Sequence, residues 1–570
     1  MTATATLARL RSLRNRYDAV ALREQRGLLR ALDRLPQRRW REVEALHEDL
    51  LFLCAFAGSA GIAREARARL ASIGSRLRAL PKRERGLGDD TGIAGSVTRH
   101  VFPFPIARWL AKTEDLAIDW GGVGDETALD KVVRINLAPA AAEAFDGGEY
   151  STREFVGLAR PAWARSDVQW LTNESRVADA WDQAEPTVTW PLAGSRFAVT
   201  HNALRSVRRV ERHAMRRPGD DVATRIGTPL QSIERLPRPR ASQVVACARA
   251  ALAARCREVD AITYPNLEEV WWCDLGDGVA LAVIGIADEQ RLALETNTGY
   301  LLVANGVPIG YGGVTPLFRQ ANTGINVFDP FRGSEAAFLW IEMLRAFHTL
   351  YASRRFVINA YQFGEDNAEA IQSGAFWFYY RLGFRPATLA TRRLAAREAQ
   401  RMAGDRKYRS DARTLRALAS GDLHLDSPGF DQADYFDEAL LAKAGARAAQ
   451  RVARESAVSR TLAQRNVAVA LARDLGVHDF ENWPPAERMG FTRLAPIFAD
   501  LPRLCDWPDP DRDALASLLR AKALPQERTF ALRATHAVRA FRSLAGNLTD
   551  MSSRGRGIPA GRWSCSARCR

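Results

Sequence analysis

Leu301-Leu302-Val303-Ala304-Asn305-Gly306-Val307-Pro308-Ile309-Gly310-Tyr311 is the stretch that decides the fold class of this chain. Two apolar runs flank Asn305-Gly306. A two-residue type I′ turn needs positive φ at both central residues, and Asn followed by Gly tolerates that best. The spacing predicts a hairpin, with one strand over Leu301 to Ala304 and the next over Val307 to Val314. Further along, a strand over about Gly324 to Phe328 runs into Asp329-Pro330-Phe331-Arg332-Gly333-Ser334 and then into a helical pattern. A strand, a tight turn and a helix N-terminus bring unpaired N–H groups to the positive end of a helix dipole, which is one way to hold an anion. Arg355 to Ala360 reads as another strand, and the helix after it ends in Phe378-Tyr379-Tyr380-Arg381-Leu382-Gly383-Phe384. Strands alternating with helices predict an α/β (α+β) class, a mixed sheet with flanking helices.

This order resembles the GNAT family of acyl-CoA-dependent N-acyltransferases over about Thr298 to Pro386, and the domain so implied spans residues 241–390. Tyr379 to Phe384 looks like the tyrosine-x-x-leucine-glycine-phenylalanine ending of the family's last helix and strand. The resemblance implies that Tyr379 protonates the departing CoA thiolate and that acyl-CoA or acetyl-CoA is the co-substrate. It also implies a small-molecule, peptide or carrier-bound acceptor whose amine is acylated. The cofactor would rest on Phe328, Arg332, Gly333 and Ser334. Gln372 would join them, seven residues before Tyr379, where the family commonly has an Asn in contact with CoA. The phosphate-loop motif is degenerate: with Gly333 as its first glycine, Pro330 stands where Arg or Gln is usual and Glu335 where a second glycine is usual.

A carboxylate at the first helical position, as Glu335 is read, favours a helix by about 0.3–1 kcal/mol but repels a pyrophosphate placed there. Arg332 offers a compensating cation. On an ordinary surface helix, Ser334 is simply the N-cap and Glu335 a first-turn acid. For the general base, Asp329 at the end of the central strand is the first candidate. Asn359, Tyr361 and Gln362 line the exit of the next strand, and Glu365 and Asp366 follow; all are equally at home in turns. The aromatic run from Phe376 to Tyr380 carries enough area that half of it must be core.

With 570 residues, 47% of them hydrophobic, the chain suits about three or four domains. Its texture divides it into a helical region over 1–88, an irregular Trp/Pro-rich mixed region over 89–234, the 241–390 domain, a helical region over 391–550 and a disordered basic tail over 551–570. Strand candidates in the second region are Leu116 to Trp120, Val132 to Leu137 and Thr187 to Trp190. Arg235 to Arg240 reads as a connector and Gln243 to Val259 as an amphipathic helix. The longest apolar stretches, Leu50 to Ala63 and Gly278 to Ala287, fall short of the roughly 18–20 residues of a membrane span. With no signal peptide apparent, the expectation is a soluble, cytoplasmic chain. Seven scattered cysteines suit free thiols in a reducing compartment, and no motif predicts a metal site. His348, near the end of the helix after the turn, reads as structural.

The net charge of +15 belongs to the flanks: residues 1–90 hold 19 Lys/Arg against 11 Asp/Glu, and residues 387–570 hold 31 against 21. Only six of the 81 basic residues are lysines, and no nucleic-acid recognition motif accompanies them. The flanks therefore read as solvated helical layers with no specific nucleic-acid partner. Two functions from different classes remain: an acyltransferase whose flanking regions shape a large acceptor site, or a GNAT-like scaffold that has lost its cofactor.

Overall fold

The Asn305-Gly306 hairpin lies in the middle of a ten-stranded mixed sheet in the computed structural model, which describes residues 2–550 except 220, 334 and 456. Thr298–Ala304 pairs antiparallel with Val307–Leu317, and the turn residues have the required φ of 49° at Asn305 and 84° at Gly306. From one edge, the strand order is Arg385–Pro386, Leu423–Asp426, Arg355–Ile358, Gln320–Thr323, Val307–Leu317, Thr298–Ala304, Val279–Ile286, Pro265–Gly276, Ile233–Arg235. Asn326–Val327 pairs separately with Val307–Leu317. Only Gln320–Thr323 and Arg355–Ile358 run parallel among these pairs, and the helix Ala336–Tyr351 makes the crossover that a parallel pair needs. Every residue of Val279–Ile286 and Thr298–Ala304 is buried, because helices cover both faces there. The sheet reaches from Ile233 to Asp426, beyond 241–390 at both ends.

The flanking regions are built into this sheet. One hydrophobic core runs from Leu7 through the N-terminal helices and the Trp-rich region to Leu425. Within it the helix Trp40–Ala55 ends against the turn after Asn326–Val327: the Phe331 ring lies 6.4 Å from Phe52 and 6.2 Å from Phe56. The C-terminal helices form a second core that meets the sheet at Leu294, Leu317 and Phe318. A three-stranded antiparallel sheet of Val97–Val101, Thr187–Pro191 and Ala117–Ile118 orders part of the Trp-rich region. No described helix is long and apolar enough to cross a membrane.

Several expected elements differ. Val132 to Leu137 is not a strand but part of the helix Glu126–Asn136, capped by Asp125 accepting from the Ala128 N–H at 3.1 Å. Ala128, Leu129, Val132 and Val133 all fall on its buried face, and that burial overrides the β preference of two valines. The expected connector Arg235 to Arg240 is partly helical: Arg238–Ala253 begins there with Pro237 as cap and Pro239 in the first turn, where no N–H is needed. The strand candidate Leu116 to Trp120 shrinks to Ala117–Ile118. Pro265–Gly276 carries no clean alternation, since Glu268 and Glu269 interrupt it and its register slips between Asn266 and Val270. The tail over 551–570 lies outside the described residues.

Candidate functional site

The parallel strands pair over Gln320 to Asn322 against Arg355 to Val357 and then part. Beyond Thr323 the first of them continues along Val307–Leu317 in unchanged register, with Thr323 opposite Val314 and Asn326 opposite Tyr311. Between those pairs, Gly324 and Ile325 leave the ladder, and two phenols take over their backbone groups. The Tyr300 hydroxyl donates to the Gly324 carbonyl, and the Tyr379 oxygen accepts the Ile325 N–H. Tyr300 reaches across because Gly312 has no side chain: a Cβ there would lie 2.4 Å from the Tyr300 oxygen. Gly324 is similarly constrained, since its Cβ would fall 2.8 Å from Gln362 Oε1.

Tyr379 is 3% exposed, ringed by Trp340 and Phe384 at 5.8 Å and Phe363 at 6.5 Å. Burial pushes its phenol well above the ordinary range, with the Ile325 N–H opposing the shift, so it holds its proton throughout neutral pH. Tyr300, fully buried beside it, is shifted the same way by burial. In the aromatic run Phe376, Trp377 and Tyr379 are buried while Phe378 and Tyr380 are partly exposed.

The turn after the first strand holds the other expected residues. Phe328 is buried, stacked on Tyr311 at 5.3 Å, with the Arg255 guanidinium 3.8 Å from its ring centre. Asp329 and Arg332 are exposed and paired at 3.0 Å. Arg332 also pairs with Glu369 at 2.9 Å, so one cation joins the turn after the first parallel strand to the helix that follows the second. Gly333 is exposed with φ of 75°, and among the described residues no atom beyond its chain neighbours lies within 4 Å of where its Cβ would be. Ser334 lies outside the described residues. Gln372 is exposed on Ala368–Ser373, and among the described residues its side chain makes no hydrogen bond to Tyr379 or to the turn. Asn359 spends its side chain on the Tyr361 N–H at 2.9 Å. His348 Nδ1 lies 2.7 Å from the Ser353 carbonyl oxygen, a structural contact at the helix end.

Glu335 departs from the surface acid expected of it. It occupies the cap position before Ala336–Tyr351 and is 1% exposed. Its carboxylate pairs with Arg212, itself 2% exposed, and accepts the Arg216 N–H at 2.6 Å, with Arg216 Nε 3.6 Å away. Arg212 in turn donates to the Asp277 carbonyl at 3.1 Å, and its N–H donates to the Ala57 carbonyl at 2.8 Å. The chain therefore places its own anion beside the start of this helix and buries it under the segment around Arg212.

Sequence reasoning missed Tyr300, Arg212, Arg216 and Arg255 at this site. One signal was available for Tyr300: three glycines, 310, 312 and 313, inside one strand mark close approach by another group. Nothing local marks the arginines, which arrive from remote segments. Among the described residues no group of three or more His, Cys, Asp or Glu is placed to hold a metal ion. No family model, no curated protein and no solved structure matches the chain.

Proposed function

We propose that the sheet and its parted strands form the core of a GNAT-like N-acyltransferase, which moves an acyl group from acyl-CoA to the amine of a small-molecule, peptide or carrier-bound acceptor. The observation that carries this reading is the Tyr379 phenol, held protonated at the point where two parallel strands separate. The acceptor nitrogen would form a bond to the thioester carbonyl carbon as the carbon–sulfur bond breaks. Asp329 would take the amine proton, and Tyr379 would give its proton to the leaving thiolate. The pyrophosphate would rest on the turn Asp329–Phe331, with Arg332 and Gly333 after it, ahead of a 16-residue helix. A second reading, a scaffold of the same fold that binds no cofactor, is favoured by the buried Glu335 carboxylate at that helix start.

Calorimetric titration of the full chain with acetyl-CoA and longer acyl-CoAs separates the two. Under the enzyme reading, Arg332→Ala weakens acyl-CoA binding. Glu369→Ala, an exposed change that frees Arg332 from its partner across the gap, tightens it severalfold. Tyr379→Phe leaves binding intact and lowers turnover by about 10²- to 10⁴-fold, the usual general-acid contribution. Absence of acyl-CoA binding in all of these proteins establishes the scaffold reading instead.

A further inference from the structure

A cavity of about 510 Å³ opens between the helices Phe104–Ala111 and Arg238–Ala253, and shares no lining residue with the parted strands. Its walls are Phe104, Pro105, Arg108, Trp109, Lys112 and Arg249. Flat apolar faces and three cations thus meet in one space, with no carboxylate among the described residues that line it. The Trp109 ring is braced by Phe197 at 4.6 Å, and the Arg108 guanidinium lies 5.7 Å from the Phe104 ring centre.

None of the three cations forms an ion pair among the described residues. Arg108 is fixed by the Asn173 carbonyl at 2.9 Å. Arg249, half-buried, donates from Nε to the Ile262 carbonyl at 3.0 Å and from Nη2 to the Thr263 carbonyl at 2.7 Å. Its Nη1 has no acceptor among the described residues. Burial with no anion beside it pulls this guanidinium's pKa down to about 10. A cation partly withdrawn from water without a counter-charge is costly, and the structure spends two backbone carbonyls on keeping this one in a fixed pose. The cavity also falls within the roughly 300–1,000 Å³ typical of small-molecule sites.

We propose that this cavity binds a small aromatic anion, a carboxylate or a phosphate ester, with its ring against Trp109 and Phe104 and its charged group on Arg249 and Lys112. The requirement is a flat apolar body and at least one negative charge. Neither the acyl transfer proposed above nor its failure bears on this site.

Calorimetric titration of the full chain with naphthoate, naphthyl phosphate and the neutral naphthalenemethanol tests it. We expect at least one anion to bind about tenfold or more tightly than the alcohol, with the gap narrowing as salt is added. Lys112→Glu, a change to an exposed side chain, reduces that preference, and Arg249→Met removes it. Trp109→Ala weakens all three probes alike. Equal binding of alcohol and anions, no binding of any probe, or an anion preference that survives Lys112→Glu overturns the proposal. Should circular dichroism show Arg249→Met to be unfolded, Lys112→Glu decides alone. The ratio between naphthoate and naphthyl phosphate assigns the headgroup.

Discussion

Glu335 is the residue on which the most structure converges. Its carboxylate pairs with both Arg212 and Arg216, and both it and Arg212 are out of water. Removing one member of a buried pair leaves the other as an uncompensated charge, at a cost of about 3–5 kcal/mol. Glu335→Ala is therefore expected to lower the urea midpoint strongly, and the double change Glu335→Leu with Arg212→Met to recover most of the loss. A single variant within about 1 kcal/mol of the parent would show that water reaches the pair. Gly306 is the second such position. A Cβ there would lie 2.2 Å from the Leu204 carbonyl oxygen, at a φ of 84° that disfavours any side chain. Gly306→Ala should cost about 1–3 kcal/mol in chemical denaturation, combining backbone strain with the displaced Leu204 segment. Its neighbour Asn305 binds the Ala55 and Val210 carbonyls at 2.9 and 3.0 Å, so this turn is also a docking point for the N-terminal region.

At the scale of elements, the C-terminal helices are fastened to the sheet through buried charge. Glu269, on the strand Pro265–Gly276, accepts the N–H groups of Glu527 at 2.8 Å and Arg528 at 2.6 Å, at the start of the helix Glu527–Ala534. Lys522 pairs with Glu527 and donates to the Glu295 carbonyl at 3.0 Å. Burial raises the Glu269 carboxyl from its ordinary 4.5 to about 7, against the two N–H groups that lower it. The folded state therefore holds this proton more tightly than the unfolded chain does. The resulting stability is fully present below about 4.5 and is lost as pH rises through about 7. His47 and His424, lowered by burial to about 3 and about 4, act in the opposite sense, losing stability as pH falls below 6.5. The difference between Glu269→Gln and the parent cancels the histidines. The variant's melting temperature relative to the parent should climb between about pH 5 and pH 8. A flat difference would mean that Glu269 remains ionised across that window.

Over the whole molecule, the flanks and the sheet are one packed unit. The core that begins at Leu7 continues into the sheet, and Phe331, at the turn after Asn326–Val327, packs against Phe52 and Phe56 of the N-terminal region. A fragment of residues 233–426 alone would expose those contacts together with Leu317 and Phe318, which the C-terminal helices cover. It is expected to lack the near-ultraviolet circular dichroism of a fixed core, and a cooperative melt from that fragment would refute this account. Many arginines of the flanks are committed to the protein's own carboxylates, as Arg11 and Arg14 are to Asp49 and Arg542 is to Asp434. Retardation assays with generic duplex and single-stranded nucleic acid should accordingly show weak retention that falls steeply with salt. Tight, salt-resistant binding would require a dedicated surface.

What the sequence determined by itself is local. Asn305-Gly306 specifies its turn through the φ values those two residues accept. The apolar runs on either side specify strands, and the break after Arg34 follows from Leu35-Pro36, where the helix Ala19–Arg34 ends. The α/β class and the helix between the parallel strands follow from the same short-range rules. The tertiary structure decided whatever depends on a partner distant in the chain. Glu335 carries the composition of a surface cap and becomes a buried anion because Arg212 and Arg216, over a hundred residues earlier, fold across it. Val132 and Val133 have strand propensity and become helical because a core forms on one side of them. At the candidate site, Tyr379 was legible from its motif, whereas Tyr300, Arg255 and the Arg332–Glu369 pair across the gap were not. Backbone preferences act over a few residues, whereas burial and charge pairing are settled only when remote segments meet, and those two terms set the chemistry of the site.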